Sequence, residues 1–204
     1  MRALFYDTET TGLPLFNEPS NDPRQPHLVQ LAAILVDLDT RRELASIDLT
    51  IRPDGWVIPD ETAAIHGITT EIAAAHGVSE FSALSVFDQL WSKADFRVAH
   101  NEDFDARIMR ITYLRCFTEN AADEWKAGNR QCTCALATPI MNLPPTERMV
   151  AKGMRGPKKP NLAEALRFFT GRELENAHSA RADTLACRDV FFAIRDGLRA
   201  PVAA

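Results

Sequence analysis

The sequence is short of three features that would each point to a particular class of protein. Only four of its 204 residues are cysteine, and no second close pair accompanies Cys132 and Cys134, so neither a secreted disulfide framework nor a zinc site is expected. No apolar run reaches the length of a membrane span, and no signal peptide precedes the first predicted strand. We therefore expect a cytoplasmic protein with reduced thiols and no membrane partner.

The sequence also lacks an excess of positive charge. Its formal net charge is −5, which excludes a global basic field for attracting nucleic acid. Any nucleic-acid partner must therefore be held by a local basic patch or through metal ions. Internal repeats, low-complexity segments and a domain linker are absent as well, while the hydrophobic content of 46% is ordinary. We expect one domain over residues 1–204, with its core at residues 2–198.

Two carboxylates follow directly after the first apolar run. Residues 3–6 predict a short buried strand, which continues into Asp7 and Glu9. Side chains two positions apart on a strand point to the same side, so both acids can face one point at the end of a central strand. Neighbouring carboxylates repel each other unless a cation lies between them, and Mg²⁺ or Mn²⁺ prefers oxygen ligands. The alternative is an ordinary strand end whose acids face water.

Aliphatic and alternating patterns predict four further strands. Segments 27–37 and 43–51 are expected to pair with the first strand as an antiparallel run of three. Segment 96–99 predicts a short strand, and segment 130–137 predicts a fifth strand that leads into a helix. Helical patterns occupy much of the sequence between and after these strands.

A further acid lies near the start of a predicted helix. The helix is expected from residue 102 to about residue 117, and Asp105 lies in its first turns, beside the apolar stripe that faces the core. A buried or half-buried carboxylate at that position needs a partner. The acids Glu102 and Asp103 suit a helix N-terminus through the dipole alone, so we assign them no other role.

The last predicted helix, residues 182–198, brings a fourth acid and a histidine. His178 and Asp183 are five residues apart, which places them roughly 140° from a shared helical face. We therefore expect Asp183 on the helix and His178 on the preceding loop, leaning back toward the same point. Glu61 and His66 lie near the ends of another short helical segment, where a histidine is more often a structural hydrogen-bonding group than a ligand.

Two loops are candidates for further contacts. The proline-rich segment 14–26 follows the first carboxylates, so it could form a wall of a site or be a surface insertion. Segment 144–160 is basic and flexible. Its residues Lys158 and Lys159 could grip phosphates through charge, or the loop could simply be solvated.

Four segments of the chain carry a resemblance to a known family. Residues 7–12 (DTETTG), 100–105 (HNEDFD) and 178–183 (HSARAD, an H-x4-D) match its three catalytic motifs in order, and residues 61–66 match a segment that contacts the terminal nucleotide. The chain resembles the DEDD exonuclease superfamily in its histidine-containing DEDDh branch, which includes the proofreading epsilon subunit of bacterial DNA polymerase III. The resemblance extends over nearly the whole chain, to about residue 194.

The resemblance implies an α/β, ribonuclease H-like fold, a mixed five-stranded sheet flanked by helices. It implies a 3′-to-5′ exonuclease that releases nucleoside 5′-monophosphates, served by two Mg²⁺ or Mn²⁺ ions about 3.5–4 Å apart. Asp7 would bridge both ions, Glu9 and Asp183 would hold the ion that activates water, and Asp105 would hold the other through bound water. His178 would accept the proton of the attacking water as general base.

The resemblance also implies contacts to the 3′-terminal nucleotide. With the two lysines of the basic segment added, the substrate-binding candidates are Thr10, Leu13, Glu61, His66, Asn101, Phe104, Lys158 and Lys159. The chain departs from the family pattern in two places. Gln30 stands where the family commonly has an acid, and segment 14–26 is longer than in a minimal family domain, which leaves the path of the nucleic-acid strand open.

The substrate and the partners have alternatives. Single-stranded DNA is favoured, but related enzymes act on RNA, and no residue here is predicted to sense the 2′-OH group. A separate polymerase is a further candidate partner. From another class, the fold could be a non-catalytic module that binds nucleic acid or a polymerase, although the intact acids and histidine argue against it.

Overall fold

One mixed sheet of five strands forms the centre of the fold. The computed structural model describes residues 1–197, so the predicted helix end at Leu198 and the tail of the predicted domain lie outside the described residues. The strands are β1 Arg2–Thr10, β2 Leu28–Asp37, β3 Glu43–Thr50, β4 Phe96–Ala99 and β5 Arg130–Cys132. Their order is β3-β2-β1-β4-β5, with β1 in the centre. β1, β2 and β3 are antiparallel, whereas β4 and β5 join in parallel, which confirms the predicted ribonuclease H-like α/β fold.

Helices cover both faces of the sheet. Those within residues 1–197 are α1 Asp60–His66, α2 Thr70–His76, α3 Glu80–Trp91, α4 Glu102–Cys116, α5 Glu119–Ala127, α6 Thr133–Met141, α7 Glu147–Ala151, α8 Leu162–Thr170 and α9 Ala180–Arg195. In this part of the chain, none of them combines the length and the apolar character needed to span a bilayer.

Three elements differ from the sequence predictions. The predicted strand 130–137 is paired only as far as Cys132, and helix α6 begins at the next residue. Helix α5 was not predicted; the side chain of Thr118 caps its start, and Trp125 buries its inner face. Helix α7 interrupts a segment expected to be loop, because the side chain of Thr146 caps it in the same way.

Alternate side chains of β1 reach opposite faces of the sheet. Phe5 packs against the phenylalanines of α9, whereas Tyr6 packs on the other face against Trp125. Because the period of a strand is two residues, Asp7 and Glu9 continue the face that α9 covers. The last helix is therefore positioned to meet both acids, as the sequence predicts.

A buried ion pair fixes the start of α4 beneath this sheet end. Glu102 is about 1% exposed, and its carboxylate accepts from Arg97 Nε and Arg130 Nη1, each at 2.8 Å. Arg97 also donates to the backbone oxygen of Trp125 at 2.7 Å, and its guanidinium lies over that indole ring. The expectation that Glu102 and Asp103 act through the helix dipole alone is wrong for Glu102, because a buried charge requires a charged partner.

Candidate active site

All five side chains predicted for catalysis line one cavity. Asp7 and Glu9 lie toward the end of β1, Asp105 in the first turns of α4, Asp183 in the first turns of α9, and His178 on the loop before α9. The cavity has a volume of about 450 Å³. The fold thus brings together groups from three separate segments of the chain.

Glu9, His178 and Asp183 form the tightest group in the cavity. Each offers one possible ligand atom, and these atoms lie within 4.8 Å of one another. Asp183 Oδ1 is buried and has no hydrogen-bond partner among residues 1–197. A buried oxygen without a partner carries a desolvation cost, which a bound cation would remove. The donor set therefore fits a hard divalent ion, for which carboxylate oxygens are the preferred ligands.

Burial raises the pKa values of all four carboxylates, and repulsion from neighbouring acids of the cavity adds to it for Asp7 and Glu9. Burial raises the pKa of Glu9 to about 8, and the charges of Asp183 and Asp105 act in the same direction. Burial also raises the pKa of Asp105 to about 8, although hydrogen bonds from Thr8 oppose it. Burial, followed by the charges of the other three acids, raises the pKa of Asp7 well above its usual range, and burial raises that of Asp183. Within residues 1–197, none of the four has an ion-pair partner.

Thr8 holds Asp105 in place, and the sequence analysis missed it. Its backbone N–H donates to Asp105 Oδ1 at 3.0 Å, and its hydroxyl donates to the same oxygen at 2.7 Å. Thr8 faces the α4 side of the sheet because Asp7 and Glu9 face the other. A threonine between two candidate ligands, opposite a buried helix acid, is the signal that could have identified it.

His178 lies on a tightly turned loop. Its φ of 66° is in the left-handed region, as is the φ of 52° at Asn176. The backbone N–H of His178 donates to Asp183 Oδ2 at 3.2 Å, which ties the loop to the first turns of α9. The imidazole is exposed at the mouth of the cavity, as expected for a group that exchanges protons with water.

Five of the predicted substrate-binding residues line the same cavity, namely Thr10, Leu13, His66, Asn101 and Phe104. Leu13 is 79% exposed, so it offers a bare apolar surface at the rim. Asn101 has a left-handed backbone with φ of 65°, a conformation that asparagine tolerates better than most residues, and it turns the chain from β4 into α4.

His66 presents a hydrogen-bond donor to the cavity. Its Nδ1 accepts from the backbone N–H of Ile68 at 3.2 Å, so a neutral ring carries its proton on Nε2. Burial lowers the pKa of His66, which favours that neutral form. Nε2 is buried and has no hydrogen-bond partner in the described part of the chain. A ligand hydroxyl or carbonyl oxygen would complete its hydrogen bonding.

The other three predicted contacts lie outside the lining of this cavity. Glu61 is exposed on α1, whereas the next residue, Thr62, reaches the cavity. Lys158 forms an ion pair with Glu164 at the start of α8, and Lys159 is exposed. The prediction placed them at the site from spacing and charge alone, which do not determine the direction of a side chain.

Four more lining residues were not assigned a role in the site from the sequence: Gly12, Thr62, Ile65 and His100. The imidazole of His100 bridges the hydroxyl of Thr133 at 2.9 Å and the backbone oxygen of Pro160 at 3.1 Å. It therefore ties β4 to the start of α6 and to the end of the basic segment. His100 is the first residue of the second motif, so its position in that motif was the available signal.

The proline-rich segment 14–26 is anchored onto α4. The side chain of Gln25, about 2% exposed, bonds to three backbone groups of the segment. Arg107 and Arg115 of α4 donate to backbone oxygens within it. None of its residues lines the cavity, so the segment borders the site rather than forming its wall.

Comparison with known families identifies the family to which the chain belongs. A family model described as exonuclease (RNase_T) matches residues 4–191. The chain belongs to this exonuclease family. The predicted membership of the DEDDh-type exonuclease family is thereby confirmed.

Solved exonuclease structures share the fold. Exonuclease I of E. coli in complex with a dT13 oligonucleotide matches with a TM-score of 0.71 and 22% identity, over 95% of this chain and 40% of that chain. The zinc-bound form of the E. coli enzyme with single-stranded DNA matches with a TM-score of 0.71 and 22% identity, over 96% of this chain and 40% of that chain. Exonuclease I from Methylocaldum szegediense matches with a TM-score of 0.70 and 22% identity, over 96% of this chain and 40% of that chain.

The chain spans about two fifths of the length of these structures, and at this identity the likeness shows the fold. A comparison with curated proteins gave no match.

Proposed function

We propose that this exonuclease is metal-dependent and removes nucleotides from the 3′ end of DNA, preferably single-stranded, as nucleoside 5′-monophosphates. One observation carries the proposal. Asp7, Glu9, Asp105 and Asp183 converge on one solvent-open cavity, and within residues 1–197 none of them forms an ion pair with a lysine or an arginine. Such an arrangement is unfavourable by itself and becomes favourable when cations bind.

The carboxylates would hold two Mg²⁺ or Mn²⁺ ions. Bound ions of this kind lower the pKa of water and stabilise the charge that develops on the leaving oxygen. Asp7 interacts electrostatically with Asp105, Asp183 and Glu9, so it would contribute to both positions. Glu9 and Asp183 share the position beside His178, while Asp105, held by Thr8, faces the other.

His178 is the proposed general base. It is exposed at the cavity mouth and lies within the same 4.8 Å group as Glu9 and Asp183, so it is next to the water that these acids would help to position. A proton accepted by the imidazole can pass directly to solvent.

The lining of the cavity suits the end of a strand. Leu13 and Phe104 offer apolar surface against which a base can stack, and His66 Nε2 offers a donor to a sugar oxygen. The two E. coli exonuclease I structures named above contain single-stranded DNA, which supports the same substrate class here.

The direct test is release of monophosphates from end-labelled oligomers. Wild-type protein with Mg²⁺ or Mn²⁺ should shorten single-stranded DNA from its 3′ end, and parallel duplex DNA and RNA oligomers determine strand and sugar preference. Asp7→Asn should lower the rate by about 10³-fold or more, because the lost ion contributes several kcal/mol. Asp103→Asn is the matched control, since Asp103 is exposed on α4 outside the cavity.

The competing classes predict different results in the same assay. A faster reaction on RNA would favour the exoribonuclease alternative. A non-catalytic binding module would release no monophosphate, and Asp7→Asn would change nothing. A separate polymerase partner and the cytoplasmic location remain predictions from the sequence.

A further inference from the structure

Gln30 does not line the cavity, but it connects the strand end that carries Glu9 to the segment that carries His178 and Asp183. It lies on β2 directly opposite Glu9 of β1. Its side-chain Oε1 accepts a hydrogen bond at 3.1 Å from the backbone N–H of Ala180, the first residue of α9. Ala180 lies in the chain between His178 and Asp183. One amide side chain therefore joins the sheet beside Glu9 to the segment that carries the other two groups.

Helix α9 begins without a cap from its own sequence. Ser179 occupies the N-cap position, but its side chain makes no capping hydrogen bond. Ala180 is fully buried, so its N–H requires a partner from elsewhere in the fold. Helix α8 shows the contrast, since Asn161 and Glu164 cap it reciprocally. At the start of α9, Gln30 of β2 therefore accepts the kind of backbone N–H hydrogen bond that Asn161 and Glu164 accept at the start of α8.

The other end of the Gln30 side chain fixes its orientation. Nε2 donates to Asp48 Oδ1 of β3 at 2.7 Å. Because a carboxylate can only accept, the amide must turn its oxygen toward Ala180. An acid at position 30 would bring two carboxylates together at this point. The amide of Gln30 avoids this repulsion, because it can donate to Asp48.

We propose that Gln30 is a positioning residue: by holding the start of α9 to β2, it sets where His178 and Asp183 lie relative to Glu9. The hydrogen bond stands on its own, and only its consequence for metal binding and catalysis rests on the proposed function. Groups that orient the ligands of a metal site typically change metal affinity or activity by about 10–100-fold when removed.

The first test replaces the amide with a hydrocarbon of similar size. In Gln30→Leu, the amide proton of Ala180 should exchange faster with solvent in the metal-free protein, measured by NMR. Calorimetric affinity for Mn²⁺ and kcat on single-stranded DNA should each fall by roughly tenfold, whereas KM should stay within about twofold. A purely structural role would lower the yield of folded protein but leave kcat per folded molecule unchanged.

Rescue through Asp48 sharpens the test. Asp48→Asn alone should behave like wild type, since the oxygen of the introduced amide still accepts from Gln30. Gln30→Glu should be impaired by repulsion from Asp48. Combining Gln30→Glu with Asp48→Asn should recover Mn²⁺ affinity and kcat to within about threefold of wild type, because the amide introduced at position 48 can donate to the new carboxylate.

Two results would overturn the inference. One is a Gln30→Leu protein that keeps wild-type Ala180 exchange, Mn²⁺ affinity and kcat. The other is a double variant that is no better than Gln30→Glu, which decides the matter even if Gln30→Leu does not fold. Absence of Mn²⁺ binding and activity in wild type would instead refute the proposed function, and Ala180 exchange would still report on the contact.

Discussion

Glu102 and Asp105 lie one turn apart at the start of α4 and are both almost fully buried, yet their surroundings differ in kind. Glu102 is held at 2.8 Å by each of two guanidinium groups, from Arg97 and Arg130. Asp105 receives only neutral donors, from Thr8, and faces a cavity that holds three more acids. A buried acid that the fold itself neutralises stabilises architecture, whereas one left uncompensated beside others is a site for cations from solution.

The largest effect is expected on the rate of nucleotide release when Asp105 is replaced. Asp105→Asn should lower the rate of nucleotide release by about 10³-fold, because it removes a ligand charge while keeping an oxygen that can accept from Thr8. The free energy of unfolding of the metal-free protein should not fall, since repulsion in the cavity is relieved. Rate assays and denaturant unfolding in a chelator measure the two quantities.

Glu102→Gln should give the opposite result. It leaves the guanidinium of Arg97 buried without its counter-charge, so the free energy of unfolding should fall by about 3–5 kcal/mol. Nucleotide release per folded molecule should stay near the wild-type rate, because Glu102 does not line the cavity. A Glu102→Gln protein that is stable but inactive would show that the two regions are not separate in function.

The pH dependence of stability should also separate the two regions. In the fold, the pKa of Glu9 and of Asp105 is about 8, against ordinary values of 4.5 and 3.8. The folded protein therefore binds these protons more tightly than the unfolded chain, and their contribution is present below pH about 4 and lost as the pH rises to about 8. Thermal melts of the metal-free protein should show this loss, and it should be smaller in Asp105→Asn. Excess Mg²⁺ should remove it, while a loss that persists unchanged with metal would contradict the account.

The smallest expected effect belongs to the basic segment, which lies outside both regions. Replacing Lys158 and Lys159 with Ala should weaken the salt dependence of binding to a nucleic-acid strand. The slope of log K against log salt concentration should fall in magnitude by about 1–2 at most. Lys158 already pairs with Glu164, so the loss should lie near the lower bound. Binding measured at several salt concentrations tests this, and an unchanged slope would assign the segment to solvation alone.

Part of the convergence of the candidate catalytic groups could be predicted from the sequence, because strand and helix periods fix which way side chains point. Asp7 and Glu9 share a face through the period of two, and the spacing of His178 and Asp183 placed one on a loop and the other on a helix. Each of these placements depends on local geometry, which short segments determine by themselves.

The contacts that support the site could not be predicted in the same way. The partner of Glu102 is Arg97, inside a four-residue strand that otherwise looks apolar, and Gln30 reaches Ala180 across 150 positions of sequence. Such pairs depend on how the strands and helices pack together, which short segments do not determine by themselves. Side-chain direction in the basic segment likewise depends on where α8 begins.

Titration of the metal-free protein with Mn²⁺ near pH 7 tests the central claim most directly. The account predicts that Mn²⁺ binds at the cavity. Because the pKa values of Glu9 and Asp105 are raised to about 8, both groups carry protons near pH 7, and binding should release them. The measured heat should therefore depend on the ionisation enthalpy of the buffer. Glu102→Gln should retain both the binding and the proton release, and Asp7→Asn should weaken binding strongly. If wild-type protein bound no Mn²⁺, or bound it equally well after Asp7→Asn, the uncompensated acids would not be a cation site and the account would be wrong.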